Sequence, residues 1–175
     1  MACIVNNIRH FEYYARKKLD YDGHTIVRNN RTIVETIGYQ FHGKLDNFKI
    51  ENDLYIKRLD DFLMFFYMLT TQLKDIKRVY DKDINNRHMI IQFDKKYHYE
   101  RGRNNLPCME SIILLFDLKQ NLNIIINLRS SDINKLTNDM LMIFTLINIV
   151  AAYIGFNIKY GTVSLQIASL HEYMV

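Results

Sequence analysis

The chain has 175 residues, of which 49% are hydrophobic and 24% charged, values that suit one globular domain and exclude wholesale disorder. Lysine and arginine exceed aspartate and glutamate by 23 − 19 = 4, a mild excess that favours anionic ligands without demanding nucleic acid. The apolar stretch from Leu141 to Phe156, interrupted by Thr145 and Asn148, falls short of the ~20 residues a membrane span needs. The first residues lack the basic and apolar regions of a signal peptide, so the reading is cytoplasmic, with Cys3 and Cys108 as free thiols.

In chain order, Ile4 to Leu19 reads as a helix, with Ile8, Phe11 and Ala15 on one stripe and Arg16, Lys17 and Lys18 near its end. Asp22-Gly23 is a turn. His24 to Val27 and Thr32 to Phe41 read as strands around a basic polar turn at Arg28-Asn29-Asn30-Arg31. The second strand alternates through Ile33, Ile37, Tyr39 and Phe41. Asp53 to Leu73 has helical spacing through Leu54, Leu59, Phe62, Leu63, Phe66 and Leu69. Met89 to Phe93 is a short strand, and Tyr97 to Leu106 a polar loop carrying Arg101-Gly102-Arg103. Ser111 to Leu118 and Leu122 to Leu128 are apolar strands joined at Lys119-Gln120-Asn121 as a hairpin. Leu136 to Ile154 is a long helix, with Thr137 or Asn138 as its cap and Gly155 as its stop. Thr162 to Tyr173 is the final strand. A few long helices mixed with strands predict a single α+β domain with a mixed, mostly antiparallel sheet.

Three short pieces stand at predicted strand ends: Leu106-Pro107-Cys108, Leu128-Arg129-Ser130-Ser131-Asp132 and Ser169-Leu170-His171-Glu172-Tyr173. A thiol, an arginine, a serine and an aspartate within one hairpin's reach suit an anionic substrate attacked by sulfur. Histidines are scattered, without the spacing of a metal site, and no phosphate-binding glycine motif occurs.

In their order and intervals, Pro107-Cys108, Arg129-Ser130-Ser131-Asp132, the long helix and His171-Glu172-Tyr173 resemble the thymidylate synthase and deoxycytidylate hydroxymethylase family. The likeness is good from Gln72 to Tyr173 and weaker before it. That resemblance implies a thymidylate synthase-like fold, a homodimer, and transfer of a one-carbon unit from 5,10-methylenetetrahydrofolate to C5 of a pyrimidine nucleoside monophosphate. Cys108 would be the nucleophile attacking C6 of the base, with Arg129 stabilising its thiolate. Arg28, Arg129 and Ser130 would hold the phosphate, with Arg87 reaching it across the dimer interface. His171 and Tyr173 would bond the sugar hydroxyl, Asp132 would face the pterin, and Asp61 would relay protons. Either Asn138 or Asp139 would read the base. With Asp139 there, cytosine is slightly favoured over uracil, because a lone carboxylate leaves uracil's O4 without a donor. The likeness also implies a place in supplying modified phage or viral DNA precursors, with no direct contact to nucleic acid and no membrane partner.

The sequence departs from the family at Met109, where many members have histidine, and at His88, where they have a second arginine. A tryptophan-bearing insert before Gln72 and the segment that covers the folate after Val175 are missing. A wetter site of that kind favours hydroxymethyl over methyl transfer. The same departures support an alternative, a catalytically inactive module that binds a pyrimidine nucleotide and regulates or inhibits another protein.

Overall fold

A computed structural model describes residues 3–28, 30–83, 89–93 and 108–174. Among these residues the chain forms four helices and one mixed sheet of seven strands. In order they are β1 (Cys3–Ile4), α1 (Arg9–Asp22), β2 (His24–Arg28), β3 (Arg31–Lys44), α2 (Leu59–Thr70), α3 (Leu73–Lys82), β4 (Met89–Gln92), β5 (Met109–Phe116), β6 (Leu122–Asp132), α4 (Ile133–Ile154) and β7 (Tyr160–Tyr173). The strand order is β1-β3-β7-β6-β5-β4, with β2 also on β3. β1–β3 and β6–β7 are parallel, and the other neighbours are antiparallel. This is the α+β, mostly antiparallel arrangement that the sequence predicts.

Several boundaries move, each for a local reason. The first helix starts at Arg9 rather than Ile4, because Cys3 and Ile4 pair beside Gly43 and Lys44 of β3. The carboxylate of Glu51 then accepts the N–H groups of Ile8 and Arg9 at 3.1 and 3.4 Å, occupying donors that a helix start leaves unpaired. Residues 53–58 stay outside α2, where the Tyr55 carbonyl accepts the Asn138 side-chain N–H at 3.2 Å and Arg58 has a non-helical backbone. The buried face of α2 is Met64, Phe65, Met68 and Leu69, so Leu59 and Leu63 of the expected stripe face solvent. Helix α3 has no counterpart in the sequence reading. It is polar, and its one fully buried residue is Ile76.

Helix α4 begins at Ile133, since β6 runs straight into it and Asp132 is the cap, accepting the Asn134 N–H at 3.1 Å. Thr137 and Asn138 lie inside its first turns. Gly155, at φ 79°, ends it with a left-handed cap that receives Phe156 N–H on the Ala151 carbonyl. With 22 residues this helix is long and apolar enough to cross a membrane by length and composition, contrary to the shorter stretch expected. It lies in the core: 61% of its most apolar window is buried. The helices share one face of the sheet, α4 over β6 and β7, α1 over β3, and α2 and α3 over β4. Phe144 sits at their meeting point, its ring 4.4 Å from Phe48 and 5.8 Å from Phe11.

A line of irregularities crosses the centre of the sheet. Buried residues of β6 recur every second position from Leu122 to Leu128, then skip to Ser131. Those of β7 run Val163, Leu165, Ile167, then skip to Leu170, and on β3 the skip falls between Tyr39 and Thr36. These positions are neighbours: Leu128, Ile167 and Tyr39 form one row, Ser131, Leu170 and Thr36 another. A strand of period two changes its buried parity only where one residue is taken up out of turn. On β3 that residue is Gly38, whose φ of 70° is strained for a residue with a side chain. On β5 the register shifts between Met109 and Ser111. Beyond this line the strand ends carry the polar motifs.

Candidate active site

Cys108 immediately precedes β5, and its carbonyl accepts the Arg129 N–H at 2.7 Å. That bond holds the thiol beside the irregular segment of β6. There its Sγ lies 3.3 Å from Ser130 Oγ. Both residues open into a cavity of about 400 Å3. β6 contributes Arg129, Ser130, Ser131 and Asp132 to its wall, α4 contributes Lys135 and Asp139, and β7 contributes His171 and Tyr173. Arg58, just before α2, closes one side. The separate stretches singled out in the sequence therefore converge on one cleft.

Each wall has its own chemistry. Arg129 is exposed at the mouth. Asp132 is engaged as the helix cap, with Lys135 Nζ 3.4 Å from its other oxygen. His171 is paired directly with Asp132 on β6 and with Glu35 on β3. Its ring stands edge-on to Tyr173 at 5.3 Å, and its Nδ1 is buried with no hydrogen-bond partner among the described residues. A buried polar atom in that state is unusual in a folded chain.

Asp139 is buried in the opposite wall. One carboxylate oxygen accepts Arg58 Nη1 at 3.1 Å and the other accepts Ser131 Oγ at 3.1 Å. Burial pushes its carboxyl up to about 6, against the opposing pull of Arg58 and the Ser131 hydroxyl. Arg58 also binds Asp61 through Nη2, so the expected proton-relay residue joins the cleft through a guanidinium rather than lining it. Asn138 lines a different space, a neighbouring cavity of about 780 Å3 that shares Arg58 and Lys135 with the first. Of the two candidate base readers, Asp139 is the one in the cleft with Cys108. The Asn138 Oδ1 is buried without a partner among the described residues.

Arg87, Pro107 and the side chain of Arg28 lie outside the described residues. Three lining residues, and one buried acid on the strand beside His171, were not singled out from sequence. Arg58 and Lys135 stand in no motif that marks them, and Ser131 is the middle position of its motif. Glu35 is buried and accepts the Ser169 hydroxyl. Its acidic side chain at the parity of Ile33 in an apolar strand was the one available signal. Among the described residues no three His, Cys, Asp or Glu side chains group as a metal site. No protein-family model matches the chain, and none of the curated proteins matches its sequence.

Proposed function

We propose that this chain is a thymidylate synthase-like enzyme whose cleft binds a pyrimidine nucleoside monophosphate and transfers a one-carbon unit to C5 of the base. The observation that carries the reading is the 3.3 Å approach of Cys108 Sγ to Ser130 Oγ inside a cavity also lined by Arg129, Asp139, His171 and Tyr173. A nucleotide needs an anion site, a sugar site and a base site, and these residues supply one of each. Arg129 offers a guanidinium fork at the mouth for the phosphate, with Ser130 as a hydroxyl donor beside it. The orphaned Nδ1 of His171 and the Tyr173 hydroxyl suit the sugar. Asp139 and Arg58 suit the polar edge of the ring.

In this reading the Cys108 thiolate adds to C6, and the ring electrons move to C5, which becomes the nucleophile. After C5 takes the methylene unit, loss of the C5 proton would break the bond from that carbon to its donor nitrogen and leave a methylene group on the ring. Addition of water to it would give the hydroxymethyl product, or of a hydride from tetrahydrofolate, oxidised to dihydrofolate, the methyl product. In either case the C6–S bond breaks and the ring double bond returns. 5,10-Methylenetetrahydrofolate would supply the one-carbon unit. The neighbouring cavity of about 780 Å3 has room for such a co-substrate, with Tyr13 and Tyr55 for a flat ring system and Lys57 as a cation at its wall, while Arg9 and Arg16 there are paired with Asp53 and with Glu12 and Glu172. Cytosine and uracil nucleotides are both in scope, as are methyl and hydroxymethyl products. The sheet face opposite the helices carries partly exposed Ile90, Ile113 and Ile125 and suits stacking against a second copy, as the homodimer would require. The free thiols fit a cytoplasmic enzyme.

Release of tritium from C5-labelled dCMP or dUMP, with and without methylenetetrahydrofolate, tests the reading. We expect release by the wild-type protein and none by Cys108→Ser, with nucleotide binding retained in that variant. Binding without release under any condition would favour the inactive regulatory module instead. Failure of either nucleotide to raise the melting temperature would remove both readings, because a ligand bound to the native state must stabilise it.

A further inference from the structure

We infer that Arg16 is a positioning residue for the Cys108 cleft: from α1 it clasps the end of β7 and the start of α4, and so fixes the wall of Asp132, His171 and Tyr173 in a site it does not line. This rests on the nucleotide reading above and deepens it by naming what holds that wall in place. Arg16 itself stands in the wall of the neighbouring cavity.

The guanidinium ties its own helix to two other elements. Nη1 donates to Glu172 Oε1 of β7 at 2.9 Å. Nη2 donates to Asn134 Oδ1 of α4 at 3.2 Å and to Glu12 Oε1, one turn earlier on α1, also at 3.2 Å. The other Glu12 oxygen accepts the Thr137 hydroxyl, a second tie between α1 and α4. The bond to Glu172 is the largest of the influences that make Arg16 hold its proton more tightly than usual.

These bonds close a circuit. Glu172 lies between His171 and Tyr173, and alternation along β7 turns its side chain to the opposite face of the strand from theirs. His171 is paired with Asp132 of β6. Asp132 in turn accepts the N–H of Asn134, whose side chain returns to Arg16. The circuit surrounds the corner where β6 runs into α4 with no loop between them. A planar guanidinium fork bonds β7 and α4 in fixed directions, which the compact charge of an ammonium does not.

Stability and placement separate at this clasp. The Arg16 and Glu172 side chains are 39% and 34% exposed, and ion pairs so open to solvent add little to stability. A displaced wall costs more in function, because contacts misplaced by about 1 Å can lose up to about a hundredfold.

Proton NMR of the histidine rings in the ligand-free full chain, together with calorimetric titration with dCMP and with dUMP, tests the inference. His171→Gln assigns the His171 resonances. We expect Arg16→Met and Glu172→Gln each to move those resonances while those of His42, near the far end of β3, stay in place. Melting temperatures should fall by no more than about 3 °C. Each nucleotide that the wild type binds should bind about tenfold more weakly to either variant. The double variant should lose no more than the worse single one, since both act through one bond. Arg16→Lys should restore only part of the affinity, because it keeps the charge without the fork. Unmoved His171 resonances in both variants would overturn the inference with no ligand present. Unchanged affinity in both, or losses that multiply in the double variant, would overturn it as well. A fall in melting temperature above about 10 °C in Glu172→Gln would mark the pair as part of the framework and also overturn it. If the wild type binds neither nucleotide, the parent reading has failed, and the histidine spectra still decide whether Arg16 holds the wall.

Discussion

The central strands have two halves that differ in what they bury. On one side of the irregular line, β6 and β7 bury Ile124, Ile126, Leu128, Val163, Leu165 and Ile167, with Phe144 over them. On the other side β6 and β3 bury polar groups beside Ile33 and Leu170: Ser131 is 1% exposed, Thr36 6% and Glu35 8%, with Asp139 at 8% on the adjoining helix. Those four are the buried polar or charged residues among the described ones, and all lie at the Cys108 end. Burying a polar group costs stability unless it is bonded. The first half is what packing alone selects, whereas the second carries partners that packing does not need.

The contrast can be broken at its apolar side first. Phe144→Ala removes a ring packed against Phe11, Phe48 and Tyr160 and should cost about 3–5 kcal/mol by denaturant unfolding. A loss below about 1 kcal/mol would mean that this half is not the seat of stability.

The polar side should respond to pH. Burial raises the Asp139 carboxyl from 3.8 to about 6, so the folded protein holds that proton more tightly than the unfolded chain does. Its contribution is fully present below the unfolded value and is lost as pH rises through about 6. The expected size is on the order of 2–3 kcal/mol between acid and neutral pH. Denaturant midpoints across that window should show the decline in the wild type and its disappearance in Asp139→Asn. The same slope in both proteins would show that the polar half carries no such cost.

The smallest effect should come from the boundary. An alanine Cβ at Gly38 meets nothing within 4 Å, so Gly38→Ala tests the left-handed backbone alone. We expect a loss of about 1 kcal/mol. No change would show that β3 does not need glycine to shift its parity.

The apolar half could be read from sequence. An apolar run marked β6, and helical spacing marked most of α4, because burial writes itself into residue type. The meeting of Cys108 with Ser130 was also within reach, since a hairpin brings the residues flanking its two strands together. The polar half was harder. The parity shift carries a glycine on β3 but Arg129-Ser130 on β6 and Ala168-Ser169 on β7, so no repeated residue type announces it. Arg58 pairs locally with Asp61, but it meets Asp139, itself bonded to Ser131, only through the tertiary fold. The cap of α4 was misplaced because Asp132 ends a strand and begins a helix with no loop between them.

The position of β7 has a consequence for biosynthesis. Of the seven described strands it comes last in the sequence, yet it lies at the middle of the sheet, joining β3 on one side to β6 on the other. Until it arrives, the nascent polypeptide holds two disconnected half-sheets and an oily rod, α4, with an unfinished roof. Such a species is a natural client for chaperones. His171 and Tyr173 ride on that closing segment, so a ribosome that stalls near residue 160 releases a product without a keystone and without one wall of the Cys108 cleft.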